Sequence, residues 1–157
     1  MLLPFFEWCE ASFIGQAIRD SLWLFPVIEA THLLALAALG GAALVVDFRL
    51  LGLGLRQPVR EIADSARPFL YGSIVVMLLT GTALFLSEAI KCYYNPSFWV
   101  KMTALPLAIL FTITVKRRIT RRADHEIGPV TAKLVALTSI ALWLVTAAAG
   151  RWIGFSS

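Results

Sequence analysis

Two ionisable side chains interrupt an apolar stretch near the N-terminus of this 157-residue chain. Glu29 and His32 lie three residues apart, about one helical turn, in the segment VIEATHLLALAALGGAALVVDFRL. A neutral imidazole is a common metal ligand. A carboxylate one turn away could accept the second ring N–H and so fix the tautomer. The pair therefore predicts ligand chemistry centred on His32, with Glu29 as its partner.

The segments that must hold these residues are apolar. The chain is 59% hydrophobic and 15% charged, whereas soluble domains carry about 45–50% and about 25%. A membrane-spanning helix needs about 20 largely apolar residues, and four stretches qualify: 22–46, 69–87, 97–115 and 134–153. The apolar runs are continuous rather than alternating, which argues against strands. We expect a single all-α domain, an integral membrane four-helix bundle.

The distribution of charge predicts how the bundle is oriented. The net charge is +4, and basic residues are concentrated in 49–67 and 116–133. Both stretches fall on the same side of a four-helix topology, and excess Lys and Arg mark the cytoplasmic side. This pattern favours an inner-membrane protein with both termini in the periplasm. The basic residues are then a topology signal and a contact for anionic lipid, and no nucleic-acid partner is expected.

The residues before the first span predict a helix at the membrane surface. The start carries acidic rather than basic residues, which is not typical of a signal peptide. Apolar residues recur at helical spacing opposite polar ones, which predicts an interfacial amphipathic helix over about 4–19. A similar surface helix is expected over 58–66. Asn95 and Pro96 suit the N-cap and first position of the third span.

The periplasmic half of the bundle gathers further candidate residues. Lys101 and Arg151 lie near the outer ends of the third and fourth spans, and ionisable residues at membrane depth are functional candidates by default. Histidine is an axial ligand of haem iron, and bundle cores are where such sites are built. We expect one haem b or related porphyrin, ligated by His32, with its propionates neutralised by Lys101 and Arg151. Gly40 leaves space on the same stripe as His32, and Trp143 lies on the facing stripe of the fourth span. The expected role is electron transfer with a quinone or a periplasmic redox partner, or porphyrin redox chemistry.

Two other interpretations stay open. Small residues pack membrane helices closely without any ligand, so the chain is alternatively a cofactor-free accessory or scaffold subunit, and the same faces could form a homo-oligomer. Copper handling is the third option, because Cys and Met suit Cu(I), although no CxxC or MxxM spacing occurs. Cys9 and Cys92 both fall on the periplasmic side, where an oxidising compartment permits a disulfide. Whether they pair is left open.

Several segments resemble those of known families. RDSLWLFPVIEATHLLALAALGGAALVVDFRLLGLG is similar to the opening of an uncharacterised group of small bacterial four-helix membrane proteins, and AGRWIGF is similar to its terminal segment. More distantly, the chain resembles the bacterial four-helix protoporphyrinogen oxidases, which bind haem b, and the copper-resistance membrane domain. The oxidases pair a first-helix His with a Lys after a Trp at the start of the third helix. His32 and the Lys101 of FWVKM occupy the matching places, so this resemblance implies a haem ligand at His32.

Overall fold

The computed structural model describes residues 2–54, 56–122 and 124–155. Within those ranges the chain is helical and contains no strand. Four helices are long and apolar enough to cross a membrane, as the composition predicts. They are α3 (Leu24–Leu50), α4 (Val59–Ser87), a third span that begins with α6 (Pro96–Phe111), and α8 (Pro129–Ile153).

The four spans pack as two pairs. Helix α3 lies mainly against α4, and α6 lies mainly against α8, while α3 and α8 join the two pairs. The buried faces carry many small residues, among them Ala43, Ala108 and Ala136, and small residues let helix backbones approach closely. The outward faces expose Leu, Val, Ile and Phe side chains. This distribution is that of a multi-pass membrane protein.

The residues before α3 form two short helices instead of the single interfacial helix expected over 4–19. Helix α1 covers Leu3–Glu10 and α2 covers Phe13–Asp20. The chain breaks between them because Ser12 is extended and its hydroxyl accepts a hydrogen bond from the Gly15 N–H at 3.2 Å. Serine in this role caps the start of a new helix.

Helix α2 is packed on the bundle rather than lying free on a surface. Ile18 and Gly15 are buried, and a Cβ added at Gly15 would lie 2.4 Å from the backbone oxygen of Leu86 in α4. Glycine is therefore required at this crossing, because any side chain would push α2 away from α4.

Three short helices form a cap over one end of the bundle. The cap consists of α1, α2 and α5 (Ala89–Tyr94). The carboxylate of Glu10 binds two parts of it: Oε2 accepts from the backbone N–H of Ile90 at 2.7 Å, and Oε1 lies 2.9 Å from the guanidinium of Arg19. We call this end of the bundle, where the described part of the chain both begins and ends, the terminal end. The opposite end, with the basic connections, is the basic end.

Helix α4 begins earlier than the sequence predicts. The expected surface helix over 58–66 is the start of α4 itself, which runs without interruption through Pro68. Its first N–H groups include that of Val59, which donates to Oδ1 of Asp124 at 3.1 Å. The other oxygen of Asp124 lies 2.9 Å from Arg49. These contacts tie the two basic connections to each other.

The third span contains a change of helix type. Asn95 caps its start by accepting from the Ser97 N–H at 2.9 Å, and Pro96 occupies the first turn, as predicted. After α6 the backbone widens into a π-helical turn over Thr112–Lys116, and a final turn, α7 (Arg117–Thr120), completes the span. Such π turns are rare in proteins, and those that occur often lie at functional sites.

Candidate functional site

His32 lies within α3 and is bound to α4. The imidazole is 9% exposed, and its Nδ1 lies 2.8 Å from the hydroxyl oxygen of Thr80. That hydroxyl donates its own proton to the backbone oxygen of Val76 at 2.6 Å. A threonine hydroxyl has a single proton, so it must accept from Nδ1–H of His32. The hydrogen-bond pattern therefore assigns the tautomer and leaves Nε2 with a free lone pair.

The close approach of this imidazole to α4 depends on glycine. A Cβ added at Gly81 would lie 3.2 Å from Cε1 of His32 and 3.8 Å from its Nδ1. A larger residue would have to displace the ring by a few tenths of an ångström. The absence of a side chain at Gly81 thus lets the imidazole approach α4 closely enough to bind the hydroxyl of the preceding residue, Thr80.

Lys101 joins His32 near the terminal end. It lies in the second turn of α6, and its side chain runs along Gly150 of α8, where an added Cβ would lie 3.3 Å from Nζ and 3.5 Å from Cε. Its ammonium group is near enough to His32, and to the thiol of Cys92, to act on both electrostatically. The structure therefore brings together two of the predicted site residues, His32 and Lys101, from separate spans.

Glu29 is exposed on α3, and the hydrogen bond that was expected to join it to the imidazole is made by Thr80 instead. The physical reason is helical rotation, because a spacing of three residues turns a side chain by about 300° and only approximately restores the same face. Arg151 lies in the last turn of α8, where the sequence places it, and is exposed, with its guanidinium carbon 4.6 Å from the centre of the Phe155 ring.

Trp143 and Gly40 lie deeper in the bundle. The indole N–H of Trp143 donates to the hydroxyl of Thr112 at 3.3 Å, which joins α8 to the π turn. An added Cβ at Gly40 would meet nothing within 4 Å. An added side chain at Gly40 would therefore meet open space beside α3.

The donor set fits a haem with one axial imidazole. Nε2 of His32 carries the lone pair that iron needs, and Lys101 supplies a cation for a propionate within electrostatic reach of that ring. For copper the residues fit less well. Among the residues that the structure describes, no three His, Cys, Asp or Glu side chains are grouped closely enough to hold a metal ion.

The two cysteines are buried in the cap as free thiols. Cys9 of α1 and Cys92 of α5 belong to one cluster with Phe6, Ala89 and Phe98. Burial raises the pKa of the Cys9 thiol. Burial also raises the pKa of Cys92 to about 11, and the carboxylate of Glu88 adds to the effect. Both side chains are therefore protonated near neutral pH and are weak metal ligands in that form.

A second polar cluster, which the sequence did not predict as a site, lies toward the basic end. The Nζ atom of Lys116 lies 2.7 Å from Oδ1 of Asp47. The same atom donates to the hydroxyl of Ser139 and to the backbone oxygen of Ala43, each at 3.1 Å. Ser139 in turn donates to Oδ2 of Asp47 at 2.8 Å. We call these three side chains, Asp47, Lys116 and Ser139, the buried ionic cluster.

The position of Asp47 in the sequence contained a signal for this cluster. Asp47 shares the inward stripe of the first span with His32, and Ser139 shares the inward stripe of the fourth span with Trp143. Lys116 was not distinguishable, because it opens the run KRRITRR, which has the composition of a cytoplasmic loop.

The fold and these contacts define an all-helical, multi-pass membrane protein with two separate polar sites in its core. Over residues 5–156 the chain matches a family of unknown function, DUF6644. The chain belongs to this family. No curated protein matches it, and no solved structure does.

Proposed function

We propose that this protein binds one haem b, or a related porphyrin, near the terminal end of its bundle, with His32 as the axial ligand. The observation that carries the proposal is the hydrogen bond from His32 to Thr80, which holds the ring by Nδ1 and leaves Nε2 available. An unliganded buried histidine could be replaced by an apolar residue at lower cost in a bilayer.

Each remaining residue has a role in binding. Lys101 would neutralise one propionate, and Gly150 lets its side chain lie along α8 toward the core. Arg151 would serve the second propionate from the end of α8. Gly40 would leave room beside α3, and Trp143 would border the site below. The bound group would supply one-electron chemistry, for which a quinone or a periplasmic protein is the proposed partner.

We also propose that the terminal end faces the periplasm. The basic end carries most of the Lys and Arg residues, which supports a cytoplasmic location for it. The tryptophans mark the terminal end as a membrane interface, because both interfaces of a bilayer are enriched in Trp. Four of the five lie at this end; they are Trp8, Trp23, Trp99 and Trp152.

The test is an absorbance spectrum of the protein purified in mild detergent from haem-replete cells. We expect a Soret band and, after dithionite reduction, an α-band. Both should disappear in His32→Ala. The matched control is His125→Ala, which removes the other histidine of the chain, an exposed residue in a short helical turn. A colourless wild-type protein, or equal spectra for the two variants, contradicts the proposal.

A second candidate function is that of a cofactor-free scaffold subunit. The buried ionic cluster favours it, since it fastens three spans to one another without any ligand. This candidate predicts a colourless protein that forms stable oligomers in detergent. Copper handling, the third candidate, predicts bound metal without porphyrin and is checked by metal analysis of the same preparation.

A further inference from the structure

The buried ionic cluster is independent of the proposed haem site and has a chemistry of its own. Asp47 and Ser139 are 0% exposed and Lys116 is 4% exposed. Removing two charges from water costs several kcal/mol per ion, and a well-packed apolar set of similar volume is often equally stable or more stable. The fastening of three helices alone does not explain why the chain uses ions here.

The hydrogen bonds of the cluster leave Oδ1 of Asp47 able to take up a proton. Lys116 donates to Ala43 and Ser139, and Ser139 donates to Oδ2 of Asp47. Oδ1 of Asp47 faces the ammonium at 2.7 Å, yet within the described residues it accepts no hydrogen bond of good geometry. Oδ1 is therefore a buried carboxylate oxygen with a lone pair that can take a proton.

A small cavity toward the basic end reaches Lys116 of the cluster. Its volume is about 40 Å³, and a water molecule needs at least about 10–15 Å³ of such space. Thr112 and Thr120 line it together with Lys116, so polar residues are available to a water there. The π turn forms part of the wall of this cavity, because its first residue, Thr112, and its last residue, Lys116, both line it.

The charged and titratable groups around the cavity come from each neighbouring element. Arg67 and Tyr71 of α4 and Arg117 of α7 line it together with Lys116. Arg49 of α3 is turned away, toward the backbone oxygen of Gln57 and the carboxylate of Asp124. On α8 the contact is the neutral hydroxyl of Ser139. Asp47 does not line the cavity itself, but its Oδ1 lies 2.7 Å from Nζ of Lys116, which does. A proton from the cavity therefore reaches the carboxylate through Lys116.

We propose that Asp47 and Lys116 form a proton-binding site inside the membrane that exchanges with water at the basic end of the bundle. In the uptake step one N–H bond of the Lys116 ammonium, which lines the cavity, breaks and a new O–H bond forms at Oδ1 of Asp47, 2.7 Å away. A hydronium ion in the cavity then gives a proton to Nζ and leaves as water, so Lys116 ends the step with three protons. The cluster thereby changes from a neutral ion pair to a net charge of +1, and release is the reverse step.

The experiment is infrared difference spectroscopy of the full chain reconstituted in lipid, recorded as the pH is lowered from about 8 to about 3, a range that brackets the ordinary pKa values of Asp and Glu. We expect a carbonyl band of a protonated buried carboxyl in the wild type. It should shift in Asp47→Glu, disappear in Asp47→Asn, and persist in the control Glu126→Gln, which removes an exposed carboxylate. A wild-type spectrum from which Asp47→Asn removes no band shows that the pair stays ionised, and overturns the proposal.

A second measurement covers the case in which Asp47→Asn does not fold. In Lys116→Met the carboxylate loses its counter-ion, so the proposal predicts that the carboxyl band is already present at about pH 8. Lys133→Met, which removes an exposed lysine of α8, should leave the wild-type titration unchanged. Equal titrations in Lys116→Met and the wild type would also overturn the proposal.

Discussion

The ammonium of Lys116 and the carboxylate of Asp47 are 2.7 Å apart, and both side chains are almost completely buried between α3, the π turn and α8. The contact joins two residues that are 69 positions apart in the sequence. It therefore fixes the third span against the first span at one particular depth.

Breaking this pair should destabilise the protein strongly. Lys116→Met alone removes the counter-ion of Asp47, so the buried carboxyl is forced to take up a proton, and removing one partner of a buried ion pair typically costs about 3–5 kcal/mol. The double variant Asp47→Leu and Lys116→Met should recover most of that loss, because no unpaired carboxyl remains. The measurement is unfolding in detergent, with Lys133→Met as the exposed control. A single variant as stable as wild type would contradict the burial of the pair.

Thr80→Val should loosen His32. The substitution keeps the shape of the side chain but removes the acceptor for Nδ1–H, and an unsatisfied buried donor costs about 1–3 kcal/mol. If haem is bound, its absorbance bands should also weaken or move. Thr82→Val is the matched control, since Thr82 is exposed and its hydroxyl bonds only to Leu78 of its own helix among the described contacts. Equal behaviour of the two variants would argue against the assigned tautomer.

Gly15→Ala should displace the cap. Its methyl group would lie 2.4 Å from the Leu86 oxygen, a backbone atom that cannot move aside without moving α4. We expect faster proteolysis of the first 20 residues and a lower melting temperature. The comparison variant is Gly72→Ala in α4, where the added methyl meets nothing within 4 Å. There the better helix propensity of alanine should be neutral or stabilising by up to about 1 kcal/mol.

Cys92 should react slowly and should make stability depend on pH. Its pKa of about 11 compares with about 8.5 for a free thiol, so at about pH 8 its maleimide labelling in Cys9→Ser should be at least a hundredfold slower than after unfolding. Because folding raises this pKa, the contribution of the neutral thiol to stability is complete below about pH 8.5 and is lost as the pH rises toward 11. A labelling rate equal to that of the unfolded chain would contradict the burial of this thiol.

The sequence predicted the four spans and the start of the third, but it stopped the first span four residues and the third span five residues too early. The predicted spans 22–46 and 97–115 end just before Asp47 and Lys116. A charged residue lowers the mean hydropathy of a sequence window, so a predicted span stops before it. The hydropathy of one segment does not show that the charges of Asp47 and Lys116 pair with each other across the bundle. The helices instead continue to Leu50 and Thr120.

The arrangement around His32 was only partly predictable from the sequence, for a similar reason. His32 and Lys101 were identified because each is an ionisable residue inside an apolar run. Thr80 was visible only as a weakly polar residue on its helix face, and its partnership with His32 depends on how α3 and α4 are rotated against each other. Periodicity within one helix does not determine that rotation.

The π turn has a consequence for how the third span can vary in length among members of the family. A π turn closes its hydrogen bonds over five residues instead of four, so it holds one residue more than an α-helical turn. Removing one residue from Thr112–Lys116 would let the backbone close as an ordinary α-helix, with little rotation of the remainder of the span relative to α6, because the widened turn is what holds the extra residue. Within the family, a relative with a one-residue gap here should therefore have a continuous α-helix in its third span and should keep the acid–base pair.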